Sequence, residues 1–152
     1  MRRGMLLGLV VVIAGLCGPA DASARDVDST GAVVADTSLV FRVGAGHRLY
    51  PDWNEEHEVK LQEEFWLGDL PFRAVIRRFM SDFKIIDGRR VNQSLTLKNP
   101  AVFVVVLGDS AAADSSWAFL NFPPHFSPDS FFTFQLEEVL GYTPPAEDGG
   151  GN

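Results

Sequence analysis

Short apolar runs, separated at close intervals by glycine, proline, aspartate or asparagine turn signals, occupy the chain between residues 37 and 140. Breakers at this spacing leave little room for helices of ordinary length, but they suit strands of about five to eight residues. We therefore predict an all-β fold, an antiparallel β-sandwich or barrel-like domain of about seven or eight strands. The predicted strands cover residues 38–43, 58–67, 72–83, 90–98, 101–107, 116–121 and 131–139.

Alternation of apolar and polar residues supports the strands at 90–98 and 131–139. Successive side chains of a strand point to opposite faces, so this alternation indicates one face in the core and one in water. By contrast, the segment 101–107 is apolar at every position, which predicts a central strand covered on both faces. The residues expected on the core faces of the two alternating strands are Val91, Gln93, Leu95, Leu97, Phe132, Phe134 and Leu136.

Segment 72–83 fits both a strand and a helix. Its apolar residues also recur at the i, i+3, i+4 and i+7 spacing of an amphipathic helix. We predict a strand because the neighbouring segments favour strands, and we keep one amphipathic helix as the alternative. Just beyond it, Asp87-Gly88 separates two short segments and predicts a type I′ turn in a β-hairpin. The apolar residues that fit both periods are Phe72, Val75, Ile76, Phe79, Met80 and Phe83.

The first 24 residues have the pattern of a secretory signal peptide. Arg2 and Arg3 precede the apolar run 6–16, and the small residues of 20–24 supply an A-x-A cleavage site, with cleavage expected after Ala24. The apolar run is shorter than the about 20 residues that a spanning helix needs. We therefore expect export to the periplasm, with lipidation of Cys17 as the alternative fate.

The chain is acidic, with a formal net charge of −7. Loss of the signal peptide removes Arg2, Arg3 and Asp21 and leaves 11 basic and 19 acidic residues, a charge of −8. This sign argues against nucleic acid and anionic membranes as partners, because both require basic patches. The single cysteine is lost as well, so the mature domain is expected to have neither a disulfide nor a thiolate metal site.

The domain organisation is simple. Residues 25–36 mix small and acidic residues without a period, and we interpret them as a flexible lead-in to one domain over residues 37–140. Residues 141–152 combine a proline pair, acidic residues and a glycine run, which predicts a disordered tail.

No catalytic or metal-binding constellation is recognisable in the sequence. His47, His57 and His125 stand apart from one another, and His57 is best interpreted as part of a solvated loop that enters a strand. Gly44-Ala45-Gly46 lacks the third glycine of a phosphate-binding loop. The glutamates occur in doublets that suit solvated faces, and an acid–base enzyme would need two of them to converge in one cleft. We therefore predict a non-enzymatic protein without a metal site.

The aromatic and proline-rich stretch from residue 117 to residue 126 is the best candidate for a contact surface. Its first half fits a strand, and after Phe122 two prolines end the ladder because they cannot donate backbone hydrogen bonds. The remainder is a loop whose apolar rings either plug the core or form a binding edge. The candidate contact residues are Trp117, Phe122, Pro123, Pro124, His125 and Phe126.

A second hypothesis is a small-ligand carrier whose apolar pocket lies between the sheets and is closed by the same loop. Arg73, Arg77 or Arg78 would then pair with an acidic group of the ligand, because a guanidinium binds carboxylates bidentately. Haem is one candidate ligand of this kind. No haem-ligating motif accompanies it, so no cofactor is predicted.

Four motifs of turn and core residues follow one another between residues 65 and 140. They are Leu67-Gly68-Asp69-Leu70-Pro71-Phe72, the segment 79–87 with Gly88-Arg89-Arg90-Val91, Ser94-Leu95-Thr96-Leu97-Lys98-Asn99-Pro100-Ala101, and Trp117-Ala118-Phe119 with Phe122-Pro123. This order resembles the exported β-rich region of ResB-like cytochrome c biogenesis proteins. That family consists of membrane proteins that, with a partner, deliver haem to apocytochromes c outside the cytoplasm.

The resemblance implies a free-standing relative of that exported domain in a Gram-negative periplasm. The haem-handling histidines of the family are associated with transmembrane helices, so no haem ligand is carried over to this chain. What the resemblance implies is an accessory or protein-interaction module that contacts a periplasmic or membrane-associated protein. Cytochrome c maturation is one setting for it.

Overall fold

The computed structural model describes residues 38–109, 112–124 and 130–144. Within these residues the chain forms strands and no helix, so none of the described residues forms a helix that could span a membrane. The strands are β1 (Val40–His47), β2 (Tyr50–Lys60), β3 (Glu64–Trp66), β4 (Arg73–Met80), β5 (Phe83–Ile86), β6 (Arg89–Asn92), β7 (Ala101–Leu107), β8 (Ala112–Phe119) and β9 (Phe132–Leu140). The predicted signal peptide 1–24 and lead-in 25–36, and most of the predicted tail, lie outside the described residues.

The strands form two antiparallel sheets and a separate hairpin. The first sheet has the order β2-β1-β9, the second has the order β3-β4-β7-β8, and β5 pairs only with β6. A tight turn after Lys60 carries the chain from the edge of the first sheet to the edge of the second. At the opposite edge, the Gln135 side chain of β9 donates a hydrogen bond to the Phe119 carbonyl of β8. The predicted all-β, sandwich or barrel-like class is confirmed.

The core lies between the two sheets and follows from the alternation along the strands. Phe41 of β1 and Phe79 of β4 are both fully buried, and their ring centroids are 5.1 Å apart across the sandwich. Strand β7 lies between β4 and β8, as its uniformly apolar sequence predicts. Its second face is covered in part, since Phe103 packs against Trp117 with ring centroids 5.2 Å apart. The fully buried side chains include Phe41, Val43, Leu67, Ile76, Phe79, Val102, Val104, Val106, Phe134 and Leu136.

Within segment 72–83, Arg73–Met80 form strand β4 and Phe83 begins β5, so the strand is shorter than predicted and the helical alternative is wrong. The pairing of β4 with β7 shifts between Ile76 and Arg78, so Arg77 is an extra residue in a β-bulge. Because of this extra residue, Ile76 and Phe79 both point into the core although they are three residues apart. The bulge therefore produces a helix-like spacing within a strand.

The predicted hairpin at Asp87-Gly88 is confirmed. Both turn residues have positive φ, 51° at Asp87 and 75° at Gly88, as a type I′ turn requires. Strand β6 ends at Asn92, however, so the prediction of a strand over 90–98 is wrong beyond that residue. Leu97 is 40% exposed and does not lie on a core face.

Side-chain hydrogen bonds explain why the strand stops there. The Ser94 hydroxyl donates to Oδ2 of buried Asp82 at 2.8 Å, and the Gln93 amide donates to the Asp82 carbonyl at 2.9 Å. The Lys98 amide then bonds back to the Thr96 carbonyl. Serine and threonine offer the backbone such local partners in place of a ladder.

Further strand boundaries differ from the prediction, including that of β1, which runs from Val40 to His47 instead of 38–43. Segment 58–67 is divided by a turn in which Gln62 adopts φ of 66°, so its halves belong to different sheets. Strand β2 begins at Tyr50, so His57 lies within a strand and the loop prediction for it is wrong. Strand β8 runs from Ala112 to Phe119 instead of 116–121. At the carboxyl end, Tyr142 packs against Phe79 with ring centroids 5.9 Å apart, beyond the predicted domain end at residue 140.

Candidate functional site

The structure separates the predicted contact residues. Trp117 lies on the outer face of the second sheet, where its ring packs 4.9 Å from that of Phe83 at the base of the β5–β6 hairpin. Met80, Ala101 and Phe119 complete this small apolar cluster. Trp117 is therefore a packing residue beneath the hairpin and is not part of an exposed rim.

Phe122, Pro123 and Pro124 follow β8 and are all exposed; we refer to these three residues as the rim. Phe122 is 49% exposed, and its ring meets that of Phe119 edge-on with centroids 6.1 Å apart. The ring is therefore anchored on one side and open to solvent on the other. His125 and Phe126, the other two predicted contact residues, lie outside the described residues.

Arg73 and Arg77 do not point between the sheets. The Arg73 guanidinium pairs with Glu64 at 2.5 Å and lies over the Trp66 ring, 5.6 Å from its centroid. The Arg77 guanidinium donates to Oε1 of Gln62 at 2.8 Å. Both side chains bind neighbours on the surface of the second sheet. This is the ordinary structural role of surface arginines.

A groove crosses the outer face of the first sheet. Its floor is formed by Gly44 and Gly46 of β1, which alternate with the inward-facing residues of that strand. Because these glycines have no side chains, the neighbouring strands stand above the floor as walls. The groove has a volume of about 310 Å³, and the described residues that line it are Gly44, Ala45, Gly46, Asn54, Glu55, Glu56, Pro124, Thr133, Gln135 and Glu137.

Two carboxylates from different strands meet in this groove. Glu56 is the register partner of Gly44 on β2, and Glu137 is the extra residue in the bulge of β9 beside Arg42 and Val43. Burial raises the pKa of Glu137, and the charge of Glu56 and a hydrogen bond between the two carboxyl groups raise it further. The groove is thus a place where negative charge is poorly compensated.

One arginine forms ion pairs with several carboxylates at this edge of the groove. Arg42 pairs with Glu58 at 2.7 Å and with Glu56 at 3.3 Å, and it also pairs with Glu138. The hydrogen bond to Glu58 and the charge of Glu138 raise the pKa of Arg42, so it stays a cation. With Glu137 included, four carboxylates surround one guanidinium, and this cluster of five groups has a formal charge of −3.

Glu55 and His57 face the opposite side of β2 and have a structural role. Oε2 of Glu55 accepts a hydrogen bond from the Gly68 amide at 2.9 Å and lies 3.2 Å from Nε2 of His57. Gly68 has φ of 56°, and a β-carbon there would lie 2.9 Å from the Glu55 carboxylate. These contacts fix the turn between β3 and β4. Among the described residues, no group of three histidine, cysteine, aspartate or glutamate side chains is arranged to hold a metal.

The groove is the feature that sequence reasoning missed. Gly44 and Gly46 do not fit a phosphate loop, but glycines two apart in a strand lie on one face and open that face. The convergence of Glu56 and Glu137 depends on the β9 bulge, and nothing local in the sequence marks that bulge. The structure thus supplies the pair of converging acids that the glutamate doublets alone did not predict.

The rim and the groove are continuous through one residue. Pro124 is exposed at the end of the rim and also lines the groove. Comparisons of this chain with protein-family models, with curated proteins and with solved structures found no match. The resemblance to ResB-like proteins therefore rests on the motifs quoted from the sequence.

Proposed function

We propose that this protein is a non-enzymatic, exported interaction module that binds a segment of a partner protein at the rim and in the groove. The observation that carries the proposal is the position of Pro124, which joins an exposed apolar rim to an acidic groove. A single bound segment can therefore contact both surfaces at once.

The chemistry of the two surfaces defines the partner segment. The rim offers an aromatic ring and two prolines, which are rigid and lose little conformational entropy on binding. The groove offers two carboxylates, one of which, Glu137, has a raised pKa because it is partly desolvated and repelled by the other. A cation placed between them relieves that repulsion. The expected segment therefore presents an apolar side chain next to a lysine or arginine.

A binding role accounts for the carboxylate pair better than acid–base catalysis does. Oε1 of Glu56 lies 3.3 Å from the Arg42 guanidinium, and that ion pair favours the charged carboxylate in a fixed position. A general acid–base pair instead needs one member that exchanges protons with a substrate. We therefore assign to Glu56 and Glu137 the recognition of a cationic side chain.

The setting of this interaction follows from the expected export and from the family resemblance. Both support a partner that is periplasmic or associated with the membrane. A role beside cytochrome c maturation is the specific form of the proposal, and it draws its support from the motifs of residues 65–140.

The test is capture from a periplasmic extract of the source organism with the wild type and a Phe122→Ser, Pro124→Ser variant. Phe131→Ser is the matched control, because Phe131 is also a phenylalanine and is 50% exposed, against 49% for Phe122. We expect the rim variant to lose a partner that the wild type and the control retain. Identical partner lists for a folded rim variant and the wild type would contradict the proposal.

A further inference from the structure

The β5–β6 hairpin is an exposed element that the proposed function does not use. Ile85 is 66% exposed and Ile86 is 45% exposed, although both are large apolar residues. Their register partners are Arg90 and Arg89, so each isoleucine lies beside a cation. The hairpin therefore presents apolar surface and positive charge together.

The charge of the hairpin is opposite to that of the chain. The hairpin has three exposed basic residues, Lys84, Arg89 and Arg90, and one acidic residue, Asp87. Its formal charge is therefore +2, whereas the net charge of the whole chain is −7. Exposed basic and apolar residues in one short hairpin of an acidic protein are unusual surface features. Such residues are complementary to an acidic surface that is bordered by apolar residues.

The hairpin is held firmly at its base. Asn92 accepts a hydrogen bond from the Asp82 amide at 2.8 Å, and the amide side chain of Asn99 donates to the Phe83 carbonyl at 2.8 Å. The Phe83 ring packs against Trp117 and Phe119. A preordered hairpin loses little entropy when it docks, so even a small contact area can contribute to affinity.

The chain itself contains a face of the required chemistry. The four carboxylates around Arg42 and in the groove form a cluster with a formal charge of −3 on the outer face of the first sheet, and Pro124 of the rim borders it. The hairpin packs on the outer face of the second sheet, through Phe83 and Trp117. The groove and the hairpin are therefore on opposite sides of the sandwich, so one copy cannot place its own hairpin in its own groove. The rim reaches both sides, since Pro124 lines the groove and Phe122 packs on Phe119, which contacts Phe83.

We propose that the β5–β6 hairpin of one copy docks on the rim and groove of a second copy, with a lysine or arginine between Glu56 and Glu137. The contact is heterologous, so each copy offers a hairpin on one side and a groove on the other and the association runs head to tail. This inference rests on the proposed function, because it takes the same groove as the acceptor. The bound segment is then the β5–β6 hairpin of a second copy of the chain.

Sedimentation velocity of the purified chain over a concentration series tests this proposal with two variants. Lys84→Glu, Arg89→Glu reverses the hairpin charge, and Glu137→Arg reverses the groove charge. We expect the average mass of the wild type to rise with concentration and each variant to associate at least tenfold more weakly. An equal mixture of the variants should form a one-to-one complex and nothing larger, because it contains one intact hairpin and one intact groove.

Net charge gives an independent control. Replacing Glu137 by arginine changes the net charge from −7 to −5, so a general reduction of repulsion would strengthen association, whereas docking in the groove predicts weaker association. If the hairpin variant unfolds, Ile85→Ser replaces it, since that residue is exposed. A wild type that stays monomeric, or a mixture of folded variants that stays monomeric, overturns the proposal. If partner capture still depends on Phe122 in that case, the proposed function stands alone.

Discussion

The carboxylate of Glu137 lies directly over Gly44, with Oε1 2.6 Å from the position that a β-carbon on Gly44 would take. The absence of a side chain at Gly44 therefore lets a carboxylate from β9 reach the groove floor. The carboxylate is the far end of a flexible side chain, so it can move away where a backbone atom could not.

Gly44→Ala is expected to displace the Glu137 carboxylate while the fold is retained. The free energy of unfolding should change by about 1 kcal/mol or less, because the alanine also restricts the unfolded chain. Partner capture and self-association should both weaken. The double variant Gly44→Ala, Glu137→Ala removes the clash, so a urea-denaturation cycle should show coupling between the two sites. Strict additivity would contradict the contact.

Glu137→Gln is expected to stabilise the protein slightly at neutral pH. The folded-state pKa of Glu137 is raised above its ordinary value of 4.5, so its ionised form is less favourable in the folded than in the unfolded state. Since the group is exposed, we expect a gain of about 0.5 kcal/mol or less.

The stabilisation by Glu137→Gln should depend on pH. As the pH falls from the raised pKa towards 4.5, Glu137 is protonated first in the folded state, and the difference between variant and wild type should shrink. Thermal unfolding between pH 4 and pH 8 measures this difference, with Glu63→Gln as a control at a glutamate that does not line the groove. A difference that grows towards low pH would contradict the assignment.

Gly88→Ala is expected to loosen the hairpin. Gly88 has φ of 75°, and an L-residue with a β-carbon costs about 1–2 kcal/mol in that region. Hydrogen exchange of the amides in residues 83–92 should become faster by about tenfold, since about 1.4 kcal/mol corresponds to that factor. Asp87→Asn is the control, because asparagine tolerates positive φ. Equal exchange in both variants would contradict the turn assignment.

Phe79→Ala is expected to cost about 3–5 kcal/mol, because it removes a fully buried ring that packs against Phe41 and Tyr142. Phe122→Ala should change stability by about 0.5 kcal/mol or less, because that ring is half exposed. Urea denaturation of the two variants compares them directly. Similar losses of stability would contradict the separation between core and rim.

Local pattern predicted the parts of the fold that depend on neighbouring residues. The turn at Asp87-Gly88 follows from turn chemistry, the central strand Ala101–Leu107 from its uniformly apolar sequence, and the strand near 131–139 from alternation. The predicted strand over 90–98 does not extend to Ser94 for a tertiary reason, because the Ser94 hydroxyl bonds to Asp82, twelve residues earlier. Alternation of residue types carries no information about such a partner.

The groove could not be predicted for a related reason. Its walls come from β2 and β9, which are far apart in the sequence and meet only through their pairing with β1. The bulge at Glu137 then determines which carboxylate points over Gly44. The exposed loop at Phe122-Pro123-Pro124 could be predicted, because two prolines cannot continue a ladder, although β8 already ends at Phe119.

Site-specific photo-cross-linking tests the central claim most directly. A photoreactive phenylalanine analogue is placed at Phe122 in one sample and at Phe131 in a second, and the protein is irradiated in periplasm of the source organism. We predict a discrete cross-linked partner from position 122 that is absent from position 131 and is lost when Glu56→Arg, Glu137→Arg is introduced. The same products from both positions, or products that persist after the groove charge is reversed, would contradict binding at the rim and groove.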